Sequence, residues 1–338
     1  MNISNTTTHS AYLPPFPVLS HAKQTELTAW IGTSLTISSL GVFNNLLILR
    51  VMWLEKHSKS GLNLLLLHFT AVNVLVCLAS FLVPFSFVLV RRNGWPITGA
   101  PCQYIHTIAT INVFVINWSD AGLAANRVVA LYRPHCYKAW TRKPVIVAAI
   151  ASSWLISMAV TIPFAAAAGG LGIGLSSLGL CFYIMSSSRL GLYLIAMGSY
   201  VPYAISGTCA LLILLKFCSG ARRGNAVSGI GEANRRRTET RRLNVAKMLL
   251  LTLLWSGVCV GPGYLTATVF PGLYASNPVS VLWTRTSFAC QFAFTPWVLL
   301  LSNREYQKRL KSIIWNRPVL QPADSSLRSG RVAPNTTD

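Results

Sequence analysis

Asp120 and Arg127 are charged side chains in an otherwise apolar stretch, SDAGLAANRVVALY, which covers residues 119–132. They stand seven residues apart, which is two turns of an α-helix, so they would share one helix face about 10 Å apart. If this stretch lies in a lipid bilayer, burying the carboxylate costs about 2.5–3.5 kcal/mol, so Asp120 is expected to face other helices. Two interpretations of Asp120 stay open: a polar switch between helices, or a neutral core acid satisfied by hydrogen bonds.

The composition indicates a membrane protein. Hydrophobic residues make up 52% of the 338-residue chain and charged residues 11%, and the mean hydropathy is +0.49. Soluble globular chains carry about 25% charged residues. The formal charge of +21 comes from basic residues between apolar segments, so nucleic acid is not an expected partner. The segments contain no paired acids, nucleophile–base set or Cys/His metal pattern, so an enzyme, a metal or another cofactor is not expected.

Seven apolar segments are each long enough to cross a bilayer as a helix, which takes about 20 residues. Helices are expected because backbone groups in lipid must be bonded within their own segment. The segments cover 28–53, 62–90, 101–133, 143–166, 190–217, 243–270 and 278–302. The predicted all-α integral membrane architecture has an extracellular tail over 1–27, a seven-helix bundle over 28–302, an amphipathic interfacial helix over 303–316 and a disordered tail over 317–338. A Gly-rich run, 165–180, is expected to be an outer loop.

Basic residues are distributed unequally between the two sides of such a bundle. The side with the N-terminus holds Lys23, Arg91, Arg92, Arg189 and Arg285. The other 24 of the 29 lysines and arginines lie on the opposite side or at its span ends. By the positive-inside rule, the N-terminus is expected outside and the C-terminus in the cytoplasm. Asn2 and Asn5 then qualify as glycosylation acceptors, and the basic inner loop would attract anionic membrane lipids.

Seven spans, an outer N-terminus and an inner amphipathic helix resemble the rhodopsin-like (class A) G-protein-coupled receptors, over roughly residues 28–316. Cys102 precedes Arg127 by 25 residues, which is the family's spacing between its disulfide cysteine and the arginine of its Asp-Arg-Tyr motif. Further positions that match the family are Asn45, Asn63, Trp95, Trp154, Pro163, Pro202, Cys259, Pro262 and Pro296. The resemblance implies a plasma-membrane receptor that couples an extracellular ligand to a heterotrimeric G protein.

Several positions depart from the family's activation machinery. Asn126 replaces the acid before Arg127, and Val128 replaces the tyrosine after it. A neutral amide holds an arginine less firmly than a carboxylate does, so raised basal activity is expected. The other departures are Asn73 for an aspartate, Val260 for a tryptophan, Thr295 and Leu299 for an asparagine and a tyrosine, and Ala210 for a tyrosine. The alternative for Arg127 is a side chain that only snorkels to the interface.

The resemblance also implies residues for each function. The G-protein-coupling surface would contain Asn126, Arg127, Val128, Pro134 and Tyr137. A polar switch would contain Asn45, Asn73, Asp120, Thr295 and Pro296. Cys102 would form a disulfide with Cys181 on the oxidising outer side. The ligand pocket would contain His106, Ala109, Thr110, Val113, Leu194, Gly198, Val260, Tyr264, Arg285 and Ala289.

The pocket positions narrow the ligand class. Ala109 stands where amine receptors carry an aspartate, and Ala289 stands where opsins carry the retinal lysine, so neither an amine nor retinal is expected. Arg285 near the pocket mouth would pair with a carboxylate, which favours a peptide or an anionic small molecule, unless it snorkels at the outer interface. A non-signalling seven-span decoy or scaffold is the alternative function. A transporter is disfavoured because the two halves show no repeat.

Overall fold

Long helices form the described part of the chain, which in this computed structural model is 17–53, 61–95, 99–168, 171–176, 178–185, 189–223, 251–262, 278–302, 307, 310–312 and 315. Span one is His21–Trp53, and span two is Gly61–Leu75 continued by the π-helical turn Val76–Leu82 and by Val83–Arg92. Span three is Gly99–Tyr132 and span four is Lys143–Ala165. Span five is Arg189–Ile195 continued by the π-helical turn Ala196–Tyr200 and by Val201–Arg223. Span six is described over Leu251–Pro262, and span seven is Pro278–Ser302.

These helices follow the apolar segments of the sequence closely. Spans one to five are long and apolar enough to cross a membrane by length and composition. Span seven has 25 residues, which also exceeds the roughly 20 residues that a crossing takes. The described part of span six is a shorter apolar helix. Each described span therefore corresponds to one of the predicted segments.

Span one begins earlier than the sequence suggested, because its helix starts at His21 and not at residue 28. The first turns contain water-compatible helix formers such as Lys23, Gln24 and Glu26. The amide of Gln24 donates to the Ser20 carbonyl at 2.9 Å, and the Thr25 hydroxyl donates to the His21 carbonyl at 3.1 Å. The apolar run marks only the part of a helix that lipid can cover. The polar first turns of span one therefore fall within the predicted extracellular tail.

The Gly-rich run, which was expected to be an outer loop, contains the first strand of a β-hairpin whose second strand follows the run directly. Strand β1, Leu171–Leu175, pairs antiparallel with β2, Cys181–Met185, in the register Leu171↔Met185 to Leu175↔Cys181. The sequence of β1, LGIGL, alternates apolar side chains with glycine, which is the two-residue period of a strand. Gly179 supplies the positive φ of +94° that the turn needs.

The predicted disulfide between Cys102 and Cys181 is present and ties β2 to the start of span three. The end of the bundle that carries this disulfide is called the outer end below, and the opposite end the inner end. At the inner end a short helix, Pro134–Trp140, follows span three. Of the predicted interfacial helix, only 307, 310–312 and 315 lie among the described residues, and Leu310 is buried there.

Aromatic rings fill the core between spans one, two and seven. Trp30 and Phe85 meet edge to face with ring centroids 5.0 Å apart, and Phe81 lies 5.7 Å from Phe292. The indole of Trp30 also donates to the Thr286 hydroxyl at 2.8 Å, so its polar edge is satisfied within the core. This packing fixes span seven against spans one and two.

Candidate functional site

Asp120 faces the interior of the bundle and lines a small polar cavity of about 10 Å³. Its carboxylate accepts a hydrogen bond from the Ser206 hydroxyl of span five at 3.5 Å. Asn73 and Thr295, two further residues of the predicted switch, line the same cavity. The full lining is Phe69, Asn73, Ile116, Asn117, Asp120, Tyr203, Thr252, Ser256, Gln291, Phe292 and Thr295. The cavity therefore joins polar groups of spans two, three, five, six and seven.

Two amide oxygens at this cavity have no hydrogen-bond partner among the described residues. They are Oδ1 of Asn73, which is 1% exposed, and Oε1 of Gln291, which is 7% exposed. Their nitrogens are bonded, since Asn73 Nδ2 donates to the Phe69 carbonyl at 3.0 Å and Gln291 Nε2 donates to the Ser256 hydroxyl at 3.1 Å. Buried acceptors are costly to leave unpaired, so these two oxygens make the cavity a polar region of the bundle.

Asn45 and Pro296 form a second part of the predicted switch, one layer away from the cavity. Pro296 has no N–H, so the carbonyl of Phe292, four residues earlier, lacks the donor that a regular helix would supply. Asn45 Nδ2 donates to that carbonyl at 3.1 Å from span one. The amide thus replaces a main-chain hydrogen bond and ties span seven to span one at Pro296.

Asn117 performs the same task for span five, and the sequence analysis did not assign it a role. Pro202 leaves the Gly198 carbonyl without its helical donor, within the widened turn Ala196–Tyr200. Asn117 Nδ2 of span three donates to this carbonyl at 3.1 Å. Gly198 also lets the Phe114 ring approach closely, because a Cβ there would lie 2.5 Å from the ring.

The predicted coupling residues lie together at the inner end of span three. Asn126 is 3% exposed, and its Oδ1 accepts no hydrogen bond from the described residues. Arg127 and Val128 are half-buried, and the helix that begins at Pro134 contains no buried side chain, although Tyr137 is half-buried. The amide oxygen that replaces the family's acid therefore forms no resting bond to Arg127 among these residues.

The predicted pocket residues that the structure describes lie in spans three, five, six and seven. Ala109, Thr110, Gly198, Val260 and Ala289 are buried, and His106, Val113, Leu194 and Arg285 are half-buried. Arg285 donates to the Cys181 carbonyl at 3.1 Å, and Cys181 is the first residue of strand β2. Tyr264, Asn2 and Asn5 lie outside the described residues.

Six polar cavity residues were missed by sequence reasoning, although a signal for some of them existed. Asn117 precedes Asp120 by three residues and Gln291 precedes Thr295 by four, so each pair repeats at helical spacing in an apolar span. Polar residues at that spacing on one face indicate a polar stripe that faces other helices. The other missed residues are Tyr203, Ser206, Thr252 and Ser256. Among the described residues, no group of three or more His, Cys, Asp or Glu side chains could hold a metal ion.

Comparison with known proteins identifies the family to which this bundle belongs. The model of the seven-transmembrane receptors of the rhodopsin family matches residues 44–299, which is 256 of the 338 residues. The chain therefore belongs to the rhodopsin family of seven-transmembrane receptors, a family of receptors and not of enzymes. Squid rhodopsin has the same fold, with a TM-score of 0.72 over 91% of this chain and 90% of that chain, at 16% identity. The predicted seven-helix membrane bundle is confirmed, and the chain is a multi-pass membrane protein.

Curated relatives include receptors whose names refer to peptides. The chain is 26% identical to human somatostatin receptor type 3 over 65% of its own length and 52% of that receptor's. It is 24% identical to the neuropeptide receptor npr-1 of Caenorhabditis elegans over 49% of its length and 35% of that protein's. The chain is 24% identical to the human substance-K receptor over 47% of its own length and 37% of that receptor's. The chain thus spans about half the length of these relatives, or less.

Proposed function

We propose that the chain is a cell-surface receptor that passes the binding of an extracellular ligand to a heterotrimeric G protein. The observation that carries this proposal is the polar cavity at Asp120, which connects five spans between the outer pocket and the inner end. A ligand that binds one arrangement of these helices better than another shifts the population toward it. The inner surface at Arg127 and the exposed helix Pro134–Trp140 is the expected contact of the G protein.

The coupling experiment measures ligand-free nucleotide exchange by receptor–Gα fusions of four Gα classes, at matched surface levels. In at least one class we expect faster nucleotide exchange than in an unfused Gα control. Arg127→Ala should lower this rate tenfold or more, because it removes on the order of one to two charge-assisted hydrogen bonds. Arg127→Lys controls for charge without the planar guanidinium. Equal exchange by wild type and Arg127→Ala would favour the alternative, a decoy or scaffold that does not couple.

We infer that the ligand is a peptide or a small molecule with an anionic group. Arg285 supports this, because a guanidinium with five donors can serve the Cys181 carbonyl and a ligand carboxylate together. The names of the somatostatin, neuropeptide and substance-K receptors add support from relatives. The first screen would compare peptides that differ only in a free or amidated C-terminus. Preferred binding of the acids, lost about tenfold in Arg285→Gln, is expected; equal binding of both forms would exclude a carboxylate contact.

The N-terminus is proposed to be extracellular and the C-terminus cytoplasmic. The distribution of basic residues supports this orientation, with 24 of 29 assigned to the inner side. The disulfide between Cys102 and Cys181 also supports it, because disulfides persist on the oxidising side of the membrane. The basic inner surface is further proposed to attract anionic lipids.

A further inference from the structure

The outer turns of span one present one face to the rest of the bundle. Over 21–34, buried and half-buried side chains recur at helical spacing, and the side chains between them are exposed. This inward face is apolar where it enters the core, since Leu27 is 1% exposed and Trp30 is 0% exposed. One turn further out it becomes charged. The inward face consists of Lys23, Glu26, Leu27, Trp30, Ile31 and Ser34.

A buried hydrogen-bond cluster holds this face of span one against span seven. The Trp30 indole donates to the Thr286 hydroxyl at 2.8 Å, and the hydroxyls of Ser34 and Thr286 lie 2.6 Å apart. Arg285 precedes Thr286 in span seven and donates to the Cys181 carbonyl at 3.1 Å, at the end of the bundle that carries the disulfide. Glu26 lies four residues before Trp30. Glu26 and Arg285 are therefore both at the outer end, on spans that pack against each other.

The distance between these two positions follows from helix geometry. Four residues advance a helix by about 6 Å, and packed helices lie about 8–10 Å apart. Arg285 stands one residue outward from Thr286, because span seven begins at the outer end with Pro278. The Cα atoms of Glu26 and Arg285 are thus about 10 Å apart. An extended chain covers about 3.3–3.6 Å per residue, so about three peptide residues span this distance.

Glu26 is a single acid among the basic residues of the outer end. Of the eight acids in the chain, Asp120 lies within span three, and the other six fall in the predicted inner loops and the C-terminal segments. The five basic residues assigned to the outer side are all described, and none of them forms an ion pair with Glu26. The outer end therefore attracts anionic groups, and the half-buried Glu26 carboxylate adds one position that attracts a cationic group.

We propose that Glu26 binds the amino group of a peptide ligand whose carboxylate is bound by Arg285. The ligand is then a zwitterion whose charged ends lie about three residues apart, and not an anionic small molecule. The bonds from Trp30 and Ser34 to Thr286 hold the two sites at this distance. This assignment rests on the proposed function for the contact of Arg285 with a carboxylate, and it adds the second contact and the length of the ligand.

Binding of defined peptide libraries to the full-length chain in lipid nanodiscs tests the role of Glu26. The probes are random tripeptides in four forms: both ends free, N-acetylated, C-amidated, and blocked at both ends. We expect the wild type to retain the free form about tenfold more than the N-acetylated form, because acetylation removes the charge that pairs with Glu26. The retained peptides are quantified by mass spectrometry.

Three variants separate the two contacts. Glu26→Gln should lose the preference for a free amino group and keep the preference for a free carboxylate, whereas Arg285→Gln should do the opposite. Thr28→Ala is the matched control, because it removes an exposed hydroxyl on the other face of the same helix, and it should change neither preference. Equal retention of free and N-acetylated tripeptides by the wild type, or a preference for the amine that survives in Glu26→Gln, would overturn the assignment.

Cross-linking measures the same geometry without a ligand. A reagent with two thiol-reactive ends about 10 Å apart should link the two positions in the double variant Glu26→Cys with Arg285→Cys, as detected by mass spectrometry of the linked peptides. Thr28→Cys with Arg285→Cys should give no link, and absence of the link at position 26 would overturn the site. A link without retention of any library would support the distance between the two positions and argue against the peptide ligand of the proposed function, so the two failures are distinguishable.

Discussion

At the residue scale, two asparagines in this bundle supply the hydrogen-bond donors that two prolines lack. Asn45 and Asn117 each donate to the carbonyl four residues before a proline in a neighbouring span. In a bilayer no water competes for such a carbonyl, so an unpaired one costs more than at a soluble surface. Spans five and seven are therefore held next to their prolines by side chains of other spans, and moving those spans apart would break the bonds.

Removing the Asn45 amide should destabilise the protein through the Phe292 carbonyl. Asn45→Ala leaves a buried acceptor unpaired, so it is expected to lower the free energy of unfolding by about 1–3 kcal/mol. Each kcal/mol lost should lower the melting temperature by about 2–4 °C. Thermal unfolding of the purified chain in nanodiscs measures this change. The decisive control is Pro296→Ala, because alanine restores the missing N–H.

In the Asn45→Ala background, Pro296→Ala should recover part of the lost melting temperature. In the wild type it should recover none, because the Phe292 carbonyl already has a partner there. The same change in both backgrounds would show that Asn45 acts through its other bond, to the Gly41 carbonyl at 2.8 Å.

An acid in place of Asn126, beside Arg127, should lower the ligand-free activity of the receptor. Asn126 is buried and its Oδ1 has no partner among the described residues. Asn126→Asp adds a charge-assisted bond that stabilises the resting arrangement, so ligand-free nucleotide exchange should fall roughly tenfold. The Gα fusions described above measure it, with Asn126→Leu as the variant of similar size without charge. Higher exchange in Asn126→Asp than in Asn126→Leu would contradict the idea that a carboxylate at this position stabilises the resting arrangement.

At the scale of elements, the contact between spans one and seven depends on a residue without a side chain. A Cβ added at Gly41 would lie 2.8 Å from the sulfur of Cys77 and 2.9 Å from the Cβ of Ala293. Neither neighbour is the end of a flexible chain, so the helices themselves would have to separate. Gly32 stands on the same helix with nothing within 4 Å of an added Cβ, which makes it a matched control.

Gly41→Ala is expected to destabilise the bundle by about 1–3 kcal/mol through overpacking. Gly32→Ala is expected to be neutral or to stabilise by up to about 1 kcal/mol, because alanine has the higher helix propensity. Thermal unfolding of both variants in nanodiscs measures the difference. A similar shift for the two substitutions would mean that helix propensity, and not the approach of spans one and seven, decides their effect.

The sequence predicted the spans well and the polar cavity only in part, for a physical reason. Apolar length identifies a helix that lipid covers, so the spans were found, whereas the polar first turns at His21 and the strand LGIGL were not. Asp120 stood out as a charge in an apolar span, and Asn73 and Thr295 stood out as departures from the family. Ser206 and Ser256 are ordinary in any helix, and only the packing of five spans brings them to Asp120.

At the scale of the whole molecule, charge is strongly polarised along the sequence. No acid occurs between Asp120 and Glu232, a stretch that contains the ends of spans three, four and five. Whatever faces the inner end of the bundle therefore meets a basic surface, which includes Arg133, Lys138 and Arg142, all exposed. Anionic lipids lie in the cytoplasmic leaflet, so this polarity favours one orientation in the membrane.

The orientation makes a prediction for the two ends of the chain. Enzymatic removal of N-glycans should increase the gel mobility of the wild-type protein, because Asn2 and Asn5 would reach the glycosylating compartment. Asn2→Gln and Asn5→Gln should each remove part of this shift and together all of it. Asn117 lies in the same triplet pattern but inside span three, so no glycan should remain on the double variant.

Epitope tags give an independent measurement of the same orientation. An N-terminal tag should be stained by antibody on intact cells, and a C-terminal tag only after the membrane is permeabilised. Staining of the C-terminal tag on intact cells would mean that the bundle is inverted. Arg127 would then lie outside, where no G protein could reach it. The proposed coupling surface would then fail together with the orientation.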